Sequence, residues 1–524
     1  MNRESTPYTP QVNKWLIAIA VMPGTIMELI DTTVVNVALP HIAGSLSAGV
    51  DESTWVLTSY LVSNAIVMPL AAWLAGAVGR RRLLMLCLTI FTLSSMACGA
   101  APTLASLIFF RVIQGAGGGA LQPLSQAILF ESFAVEERGM AMAVYGIGAI
   151  VAPIIGPLLG GWITDNLNWR WAFYINLPVG IIALAATAMF IFDPDYLRAR
   201  TRGGIDFLGV GLLIVGIGAL QIVLDKGERE DWFSSAFIVR LSVVALVALV
   251  ALVYWELKTR QPFVDLRLFK DRNFASGVTV FFFFRFVLYG SMVLLPLFLQ
   301  TIMGYDATLA GEIMAWGGVS AMMTMPVTGR LCNRVDNRWL SILGLLIGAW
   351  ATYRMSLFNV QTDYATVLLP RFLQGLGIGI TFVALTNLTM GHISREKMGN
   401  ATGIYNLLRN LGGSSGIAVA TTLLSRRAQF HQSRLVEHLI PWSLPFSGWQ
   451  HRIAEIMPGL GPHWNYWDAP QAMATLYGQV QVQAMTLSFS DGYWFFTILF
   501  LLLVPLVFMM RRPRLAQEEI IKGD

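Results

Sequence analysis

Two carboxylates stand close together in the first long apolar run of the sequence. Glu28 and Asp31 are three residues apart, so a helix would carry both on one face. Ionisable side chains at membrane depth are costly and usually mark functional sites. Neighbouring carboxylates in a low dielectric disfavour each other's ionisation, which favours proton uptake near neutral pH. The pair is therefore a candidate proton carrier. The alternative is that Asp31 only ties its helix to a neighbour by hydrogen bonds.

Arg111 is the candidate counter-charge for this pair. A guanidinium stays protonated even when buried, so it can hold a carboxylate ionised until a proton or a substrate competes. A helix-packing ion pair is the alternative. Glu312, Arg285 and Arg409 also lie within apolar runs and are candidates for a substrate site or a second proton site. Either arginine could pair with Glu312 or with an anionic substrate, and Glu312 could instead lie near a helix end and be solvated.

The composition places these residues in a membrane. Of 524 residues, 55% are hydrophobic and 13% are charged, whereas soluble domains carry about 25% charged residues. The formal net charge is +5, but the basic residues are concentrated in particular loops, which does not indicate a nucleic-acid-binding surface. The cysteines Cys87, Cys98 and Cys332 match no metal or redox spacing. We therefore expect buried thiols and no metal site.

Fourteen apolar runs between residues 15 and 510 are long enough to cross a bilayer as helices, which takes about 20 residues each. Lysine and arginine are concentrated in alternate short loops, and this asymmetry predicts that both termini are cytoplasmic. One outer segment, about 426–488, is much longer than the other outer loops. The sequence therefore predicts an all-α integral membrane protein with fourteen transmembrane helices.

The sequence contains an internal repeat. "FFRVIQGAGGGA" (109–120) reappears as "LPRFLQGLGIGI" (369–380), at an offset of 260. Segments 72–83 and 329–340 match at an offset of 257. The residue pairs made by the first offset include Arg111 with Arg371, Gln114 with Gln374, Gly139 with Gly399 and Tyr145 with Tyr405.

The repeat divides the chain into two six-helix halves separated by two inserted helices. We expect the first half at 1–195, the inserted helices and linker loops at 196–272, the second half with its long outer segment at 273–512, and a cytoplasmic tail at 513–524. Parallel repeats of this kind place a substrate site between the halves near the bilayer midplane. Rocking of one half against the other then gives alternating access.

Four segments carry a family resemblance. They are "LIDTTVVNVALP" (29–40), "RVIQG" (111–115), "GAIVAPIIGPLLGG" (148–161) and "NWRWAFYINLPVG" (168–180). With them, residues 15 to 512 resemble the fourteen-helix drug:proton antiporters of the major facilitator superfamily. The resemblance implies an exporter of lipophilic compounds that is driven by the proton gradient and needs no cofactor. It ties the helix-4 motif of Arg111, Gln114 and Gly115 to proton transfer, and it favours Asp31 over Glu28 because Asp31 lies inside a matched segment.

The third segment, 148–161, contains small residues and prolines and no charged residue, so its expected role is in helix packing. Small residues on one helix face let two helix backbones approach closely, and prolines kink a helix. We expect a tightly packed, bent helix that can seal one side of the transporter. The residues concerned are Gly148, Pro153, Gly156, Pro157, Gly160 and Gly161.

The inner loop after the second predicted helix departs from the family pattern. Gly79, Arg80 and Arg81 are present as candidate gating residues. Ala72 and Gly76 stand where the family has its first glycine and its acid. The acid that would latch this loop to the neighbouring half is missing from both copies of the repeat, which argues against that latch.

Two other functions fit less well. Export of a fatty acid, a lipid or a siderophore would use the same fold. A membrane enzyme or sensor is disfavoured because the sequence has no P-loop, metal-binding cluster or nucleophile elbow, so no catalytic residue is predicted.

The resemblance also implies partner proteins. In bacteria with two membranes, such exporters sit in the inner membrane and work with a periplasmic adaptor and an outer-membrane channel. The outer segment 426–488 is the candidate docking surface because aromatic residues are enriched at interfaces, although its aromatics could instead rest at the membrane surface. Its aromatic residues include Trp442, Trp449, Trp464, Tyr466, Trp467 and Tyr477.

Overall fold

The computed structural model describes residues 12–193, 206–259, 262–439 and 470–511, with the isolated positions 446, 448 and 451. Over those ranges, every predicted apolar run forms a helix or part of one. We number the long helices α1 to α14. They are α1 (Lys14–Ser45), α2 (Trp55–Val78), α3 (Arg80–Ala100), α4 (Leu104–Ser132), α5 (Arg138–Asn166), α6 (Trp171–Phe190), α7 (Phe207–Lys226), α8 (Ala236–Lys258), α9 (Arg272–Thr301), α10 (Ala307–Leu331), α11 (Asn337–Ser356), α12 (Tyr364–Met390), α13 (Arg395–Glu437) and α14 (Pro470–Phe508).

Eleven helices of the described ranges are long and apolar enough to cross a membrane. The other three long helices are α10, α11 and α13. They lie side by side with the eleven: α10 packs on α5 and α12, α11 on α12 and α14, and α13 on α9 and α14. The chain is therefore a multi-pass helical membrane protein.

The helices pack as two bundles. We call α1–α6 the N-terminal bundle and α9–α14 the C-terminal bundle. The inserted helices α7 and α8 form a hairpin, and α7 contacts both α2 and α13. Gln221 of α7 donates a hydrogen bond to Ser414 of α13 at 3.0 Å, and Asp225 of α7 accepts one from Thr58 of α2. The hairpin thus covers the seam where α2 meets α13.

Both ends of the described chain lie at the same end of the protein, which we call the inner end. Lys14, which begins α1, forms a 2.5 Å ion pair with Glu137, just before α5. The backbone N–H of Arg511, after α14, donates to Asn273, at the start of α9, at 2.6 Å. This arrangement fits an even number of membrane crossings.

Small residues close the inner end. A methyl group on Gly139 of α5 would lie 2.6 Å from the carbonyl oxygen of Gly329 in α10. A methyl group on Gly399 of α13 would lie 3.3 Å from Cβ of Ala72 in α2. The repeat relates these two contacts, because the offset of 260 takes Gly139 to Gly399 and the offset of 257 takes Ala72 to Gly329. The two bundles therefore touch at the inner end through a pseudosymmetric pair of close contacts.

The prediction of a loop at 426–488 was wrong for both of its ends. α13 continues to Glu437, and α14 begins at Pro470. Apolar periodicity stops at the charged residues, but helical hydrogen bonding continues, and Asp491 of α14 joins Arg427 and His431 of α13 at 2.5 and 2.7 Å. The five aromatic residues Trp442, Trp449, Trp464, Tyr466 and Trp467 lie outside the described residues.

Candidate functional site

Asp31 lies in a closed polar cluster inside the N-terminal bundle. Its side chain is fully buried, and Oδ2 is 2.6 Å from Nη1 of Arg111. Oδ1 accepts hydrogen bonds from Gln114 and from Asn176 of α6, both at 2.8 Å. Arg111 also donates to the carbonyl oxygen of Val56 at 3.0 Å. A carboxylate ion is matched here by a cation and two amide donors, so a proton must compete with Arg111 to reach it.

Glu28 lies in a second cluster on the same helix. Asn64 of α2 donates to its Oε1 at 3.0 Å, and Gln122 of α4 donates to its Oε2 at 2.6 Å. The hydroxyl of Tyr60 lies 3.4 Å from Oε1. Glu28 is 3% exposed, and its recorded hydrogen-bond donors are neutral amides and a phenol rather than a cation. The two acids of α1 are therefore held differently, although they share one helix face.

Arg409 of α13 reaches across to the N-terminal bundle. Its Nη2 donates to Oε1 of Gln122, and its Nη1 donates to the hydroxyl of Tyr145 in α5 at 3.3 Å. One helical turn away, Asn406 donates to Gln126 of α4 at 2.6 Å. These hydrogen bonds form a polar layer between α4, α5 and α13, above the small-residue contacts of the inner end.

The structure does not bring Arg285 or Arg409 to Glu312. Arg285 donates to Tyr289, one turn along α9, at 2.8 Å. Glu312 is exposed near the start of α10 and accepts a hydrogen bond from Tyr364 at 3.0 Å. The proposed pairing was wrong because Glu312 lies at the outer end of its helix, as in the solvated alternative, while both arginines are deep in the protein.

The small-residue motif of α5 packs against α1, the helix that carries both acids. Methyl groups on Gly148, Gly156 and Gly160 would lie 2.3, 1.8 and 3.1 Å from atoms of Met22, Thr33 and Val34, respectively. Pro153 and Pro157 are inside the helix but partly or largely exposed, so they lie off this face. Gly161 also lies off it, because a methyl group there would meet nothing within 4 Å. The expectation of one shared face was wrong for these three residues.

This packing gives a matched pair of alanine substitutions. Gly156→Ala should lower the melting temperature of the detergent-purified protein by several degrees, because Thr33 must move to admit the methyl group. Gly161→Ala adds the same group to open space and should melt within about a degree of wild type, since surface changes of this kind are nearly neutral. Equal melting temperatures for the two variants would contradict the close α1–α5 packing.

Arg80 of the inner loop forms an ion pair within its own bundle. It donates to both oxygens of Glu131, at the end of α4, at 2.5 and 2.8 Å, and both side chains are buried. Gly79 has φ +93°, a conformation that favours glycine. The backbone N–H of Arg81 donates to Asp193 at 2.8 Å. These contacts fix the inner loop within the N-terminal bundle.

Sequence reasoning missed several residues of these clusters. Asn64, Gln122, Asn176 and Glu131 complete the contacts of residues that were singled out. A usable signal was present in α4, where Gln114, Gln122 and Gln126 recur at multiples of four residues and so lie on one face of an apolar helix.

The bundles, the buried charges and their shared polar layer define a membrane transporter. The sequence profile of the Major Facilitator Superfamily matches residues 21–417. Fatty acid resistance protein FarB of Neisseria gonorrhoeae is 37% identical over 93% of this chain and 94% of its own. Multidrug export protein EmrB of Escherichia coli (strain K12) is 37% identical over 95% of each chain.

The chain therefore belongs to the major facilitator superfamily, and the predicted family is confirmed. Its fold is similar to that of the proton:xylose symporter XylE, with a TM-score of 0.61, 14% sequence identity, and coverage of 98% of this chain and 99% of that one. Since members of the superfamily are transporters, the enzyme alternative is excluded.

Proposed function

We propose that this protein exports lipophilic, drug-like compounds from a bacterial cell in exchange for protons, across the inner membrane and without a cofactor. The observation that carries the proposal is the burial of two carboxylates, Glu28 and Asp31, in one helix of the N-terminal bundle. Buried carboxylates at membrane depth are typical of proton pathways. The printed name of the E. coli relative, a multidrug export protein, supports the choice of cargo.

Fatty acids are a second candidate cargo. The Neisseria relative is named as a fatty acid resistance protein. Arg285 is buried beside Arg409 in the C-terminal bundle, and the side chain that it contacts, Tyr289, is neutral. A fatty acid carboxylate would supply the missing negative charge there, whereas a lipophilic cation would not.

The topology of the proposal has fourteen transmembrane helices in a 6 + 2 + 6 arrangement with both termini in the cytoplasm. The three less apolar helices count as crossings because they pack among the eleven apolar ones. The halves have the boundaries expected from the repeat, and the substrate binds between them. In this orientation the close contacts at Gly139 and Gly399 lie on the cytoplasmic side, so the structure is closed to the cytoplasm.

The outer ends of α13 and α14 are the proposed docking surface for a periplasmic adaptor, which would connect the exporter to an outer-membrane channel. α13 has 43 residues, a length of roughly 65 Å at 1.5 Å per residue, while the bilayer core is about 30 Å thick. Asp491 forms an ion pair with Arg427 and a hydrogen bond with His431, and these contacts hold the two projecting helices together. Tyr477 is exposed on this projection.

Transport by the purified protein in vesicles tests the proposal and separates the two cargoes. An imposed difference of one pH unit stores about 1.4 kcal/mol per proton, enough for roughly tenfold accumulation of a cargo exchanged for one proton. We expect this accumulation for a fluorescent lipophilic cation and its collapse when a protonophore is added. Accumulation of a long-chain fatty acid instead would select the second cargo. No gradient-dependent movement of either would overturn proton-driven export.

A further inference from the structure

A single amide side chain, Gln122, joins the two bundles to a buried acid. Its Nε2 donates to Oε2 of Glu28 at 2.6 Å, and its Oε1 accepts a hydrogen bond from Nη2 of Arg409. The chain of contacts therefore runs from α1 through α4 to α13. It begins on an acid of the N-terminal bundle and ends on a cation of the C-terminal bundle.

Glu28 and Arg409 compensate each other's charge through this amide. Glu28 is 3% exposed and Arg409 is 1% exposed. Asp31 has its own cation, Arg111, in direct contact. Among the described residues, no ion pair of 4 Å or less is recorded for either Glu28 or Arg409. A buried charge that loses its compensation is strongly destabilising. The protonation state of Glu28 therefore determines whether the buried charge of Arg409 is compensated.

The other ionisable groups around this chain of contacts come from several helices. Tyr60 of α2 contacts Glu28, and Asp31 interacts with it along α1. Tyr145 of α5 contacts Arg409. Arg285 and Tyr289 of α9 and Tyr405 of α13 also interact with Arg409 electrostatically. Because Arg285 adds a second positive charge beside Arg409, loss of the negative charge on Glu28 leaves two buried cations together.

We propose that Gln122 is a positioning residue that transmits the protonation of Glu28 to the seam between the bundles at the inner end; this rests on the proposed proton-driven function. A proton that binds Oε2 of Glu28 removes the negative charge and places a hydroxyl hydrogen on the oxygen that Gln122 contacts, so the charge-assisted hydrogen bond from Gln122 is weakened. Gln122 is then free to turn away, and Arg409 loses its negative partner.

The contact that then weakens is the one that keeps the inner end closed. Arg409 and Gly399 are both on α13, and Gly399 packs against Ala72 of α2 at that end. Movement of α13 away from the N-terminal bundle hydrates Arg409 and opens the seam. Proton uptake therefore favours opening toward the cytoplasm, and proton release there restores the closed state. Proton influx through an antiporter requires the first of these steps, in which the protonated carrier opens toward the cytoplasm; the return step must then carry the cargo.

Spin labels on the two sides of the seam measure this opening without any transported substrate. Val78 of α2 is 42% exposed, and Lys397 of α13 is exposed, so both accept a label at the inner end. We expect pulsed electron paramagnetic resonance to show a short distance between the labels at high pH. A longer distance should gain at least about fivefold in population at low pH, a shift of roughly 1 kcal/mol.

Three variants and one matched control assign the shift to Gln122. Glu28→Gln and Gln122→Leu should show the longer distance at every pH. Gln126→Leu removes an uncharged hydrogen bond between the same two helices, from Asn406, and should keep the wild-type pH response. The double variant Glu28→Gln/Arg409→Gln removes both charges and should restore the short distance; a distance that stays long would contradict the charge compensation between Glu28 and Arg409, even if Gln122→Leu does not fold.

The outcomes separate this inference from the proposed function. A pH response that persists in Gln122→Leu, or one that is lost equally in Gln126→Leu, would overturn the role of Gln122. If the wild type exports its cargo under a pH gradient but the label distance does not change with pH, the proposed role of Gln122 is wrong and proton-driven export stands. If the label distance changes with pH as expected but a pH gradient drives no transport, the proposed role of Gln122 stands and the proposed function is wrong.

Discussion

Asp31→Asn should abolish proton-driven transport while the protein remains folded and inserted. Asparagine has nearly the same shape and can still accept the hydrogen bonds from Gln114 and Asn176, but it cannot exchange a proton. Breaking a buried ion pair costs about 3–5 kcal/mol, so the melting temperature should also fall. The measurement is gradient-driven uptake into vesicles, which should drop to the rate of protein-free vesicles.

Asp165→Asn is the control, because it removes an exposed acid from the same bundle. It should transport at the wild-type rate. Gel filtration and the melting temperature of Asp31→Asn show whether the variant is folded. If folded Asp31→Asn protein transports as fast as the wild type, Asp31 is a structural residue and the proton passes through another group.

The sequence predicted Arg111 as the counter-charge for the acids of α1, but it did not predict which other side chains contact Asp31. Charge at membrane depth is rare enough to identify Asp31 and Arg111, and the structure places them 2.6 Å apart. Which amides surround them depends on how α1, α4 and α6 are rotated against one another. Close contacts such as Gly156 of α5 against Thr33 of α1, and Gly180 of α6 against Thr92 of α3, help to set these rotations, and a single sequence does not reveal such contacts.

Gln122 illustrates the same limit more strongly. A glutamine in an apolar helix signals a buried polar contact, but its importance here comes from two partners that are distant in sequence, Glu28 and Arg409. The repeat could not help, because it pairs positions between the bundles and does not predict which positions touch across them. The helical extensions beyond residue 425 were missed for a different reason. Hydropathy indicates burial in lipid, whereas these turns are held by the contacts of Asp491 with Arg427 and His431.

Gly139→Ala should prevent the inner end from closing, whereas Gly399→Ala should be tolerated. The repeat relates the two positions, but their surroundings differ. At Gly139 the added methyl group would lie 2.6 Å from a backbone oxygen of Gly329, which cannot move without α10. At Gly399 it would lie 3.3 Å from the Ala72 side chain, which a shift of a few tenths of an ångström relieves. We expect at least about tenfold slower transport for Gly139→Ala, since overpacking costs about 1–3 kcal/mol.

A native thiol reports the opening at this seam. Cys332 is buried beside Gly139, 3.0 Å from the position of the added methyl group, and burial raises the pKa of its thiol to about 12. Because the thiolate is the reactive form, a membrane-impermeant maleimide applied to the cytoplasmic side should label Cys332 slowly in the wild type at pH 7. In Gly139→Ala, hydration lowers that pKa toward its ordinary value, so labelling at pH 7 should be at least about tenfold faster.

Cys87 and Cys98 are replaced in all samples so that only Cys332 reacts. Gly399→Ala serves as the matched control and should label at the wild-type rate. Slow labelling in both variants, with transport unimpaired, would show that the α5–α10 contact does not close the cytoplasmic side.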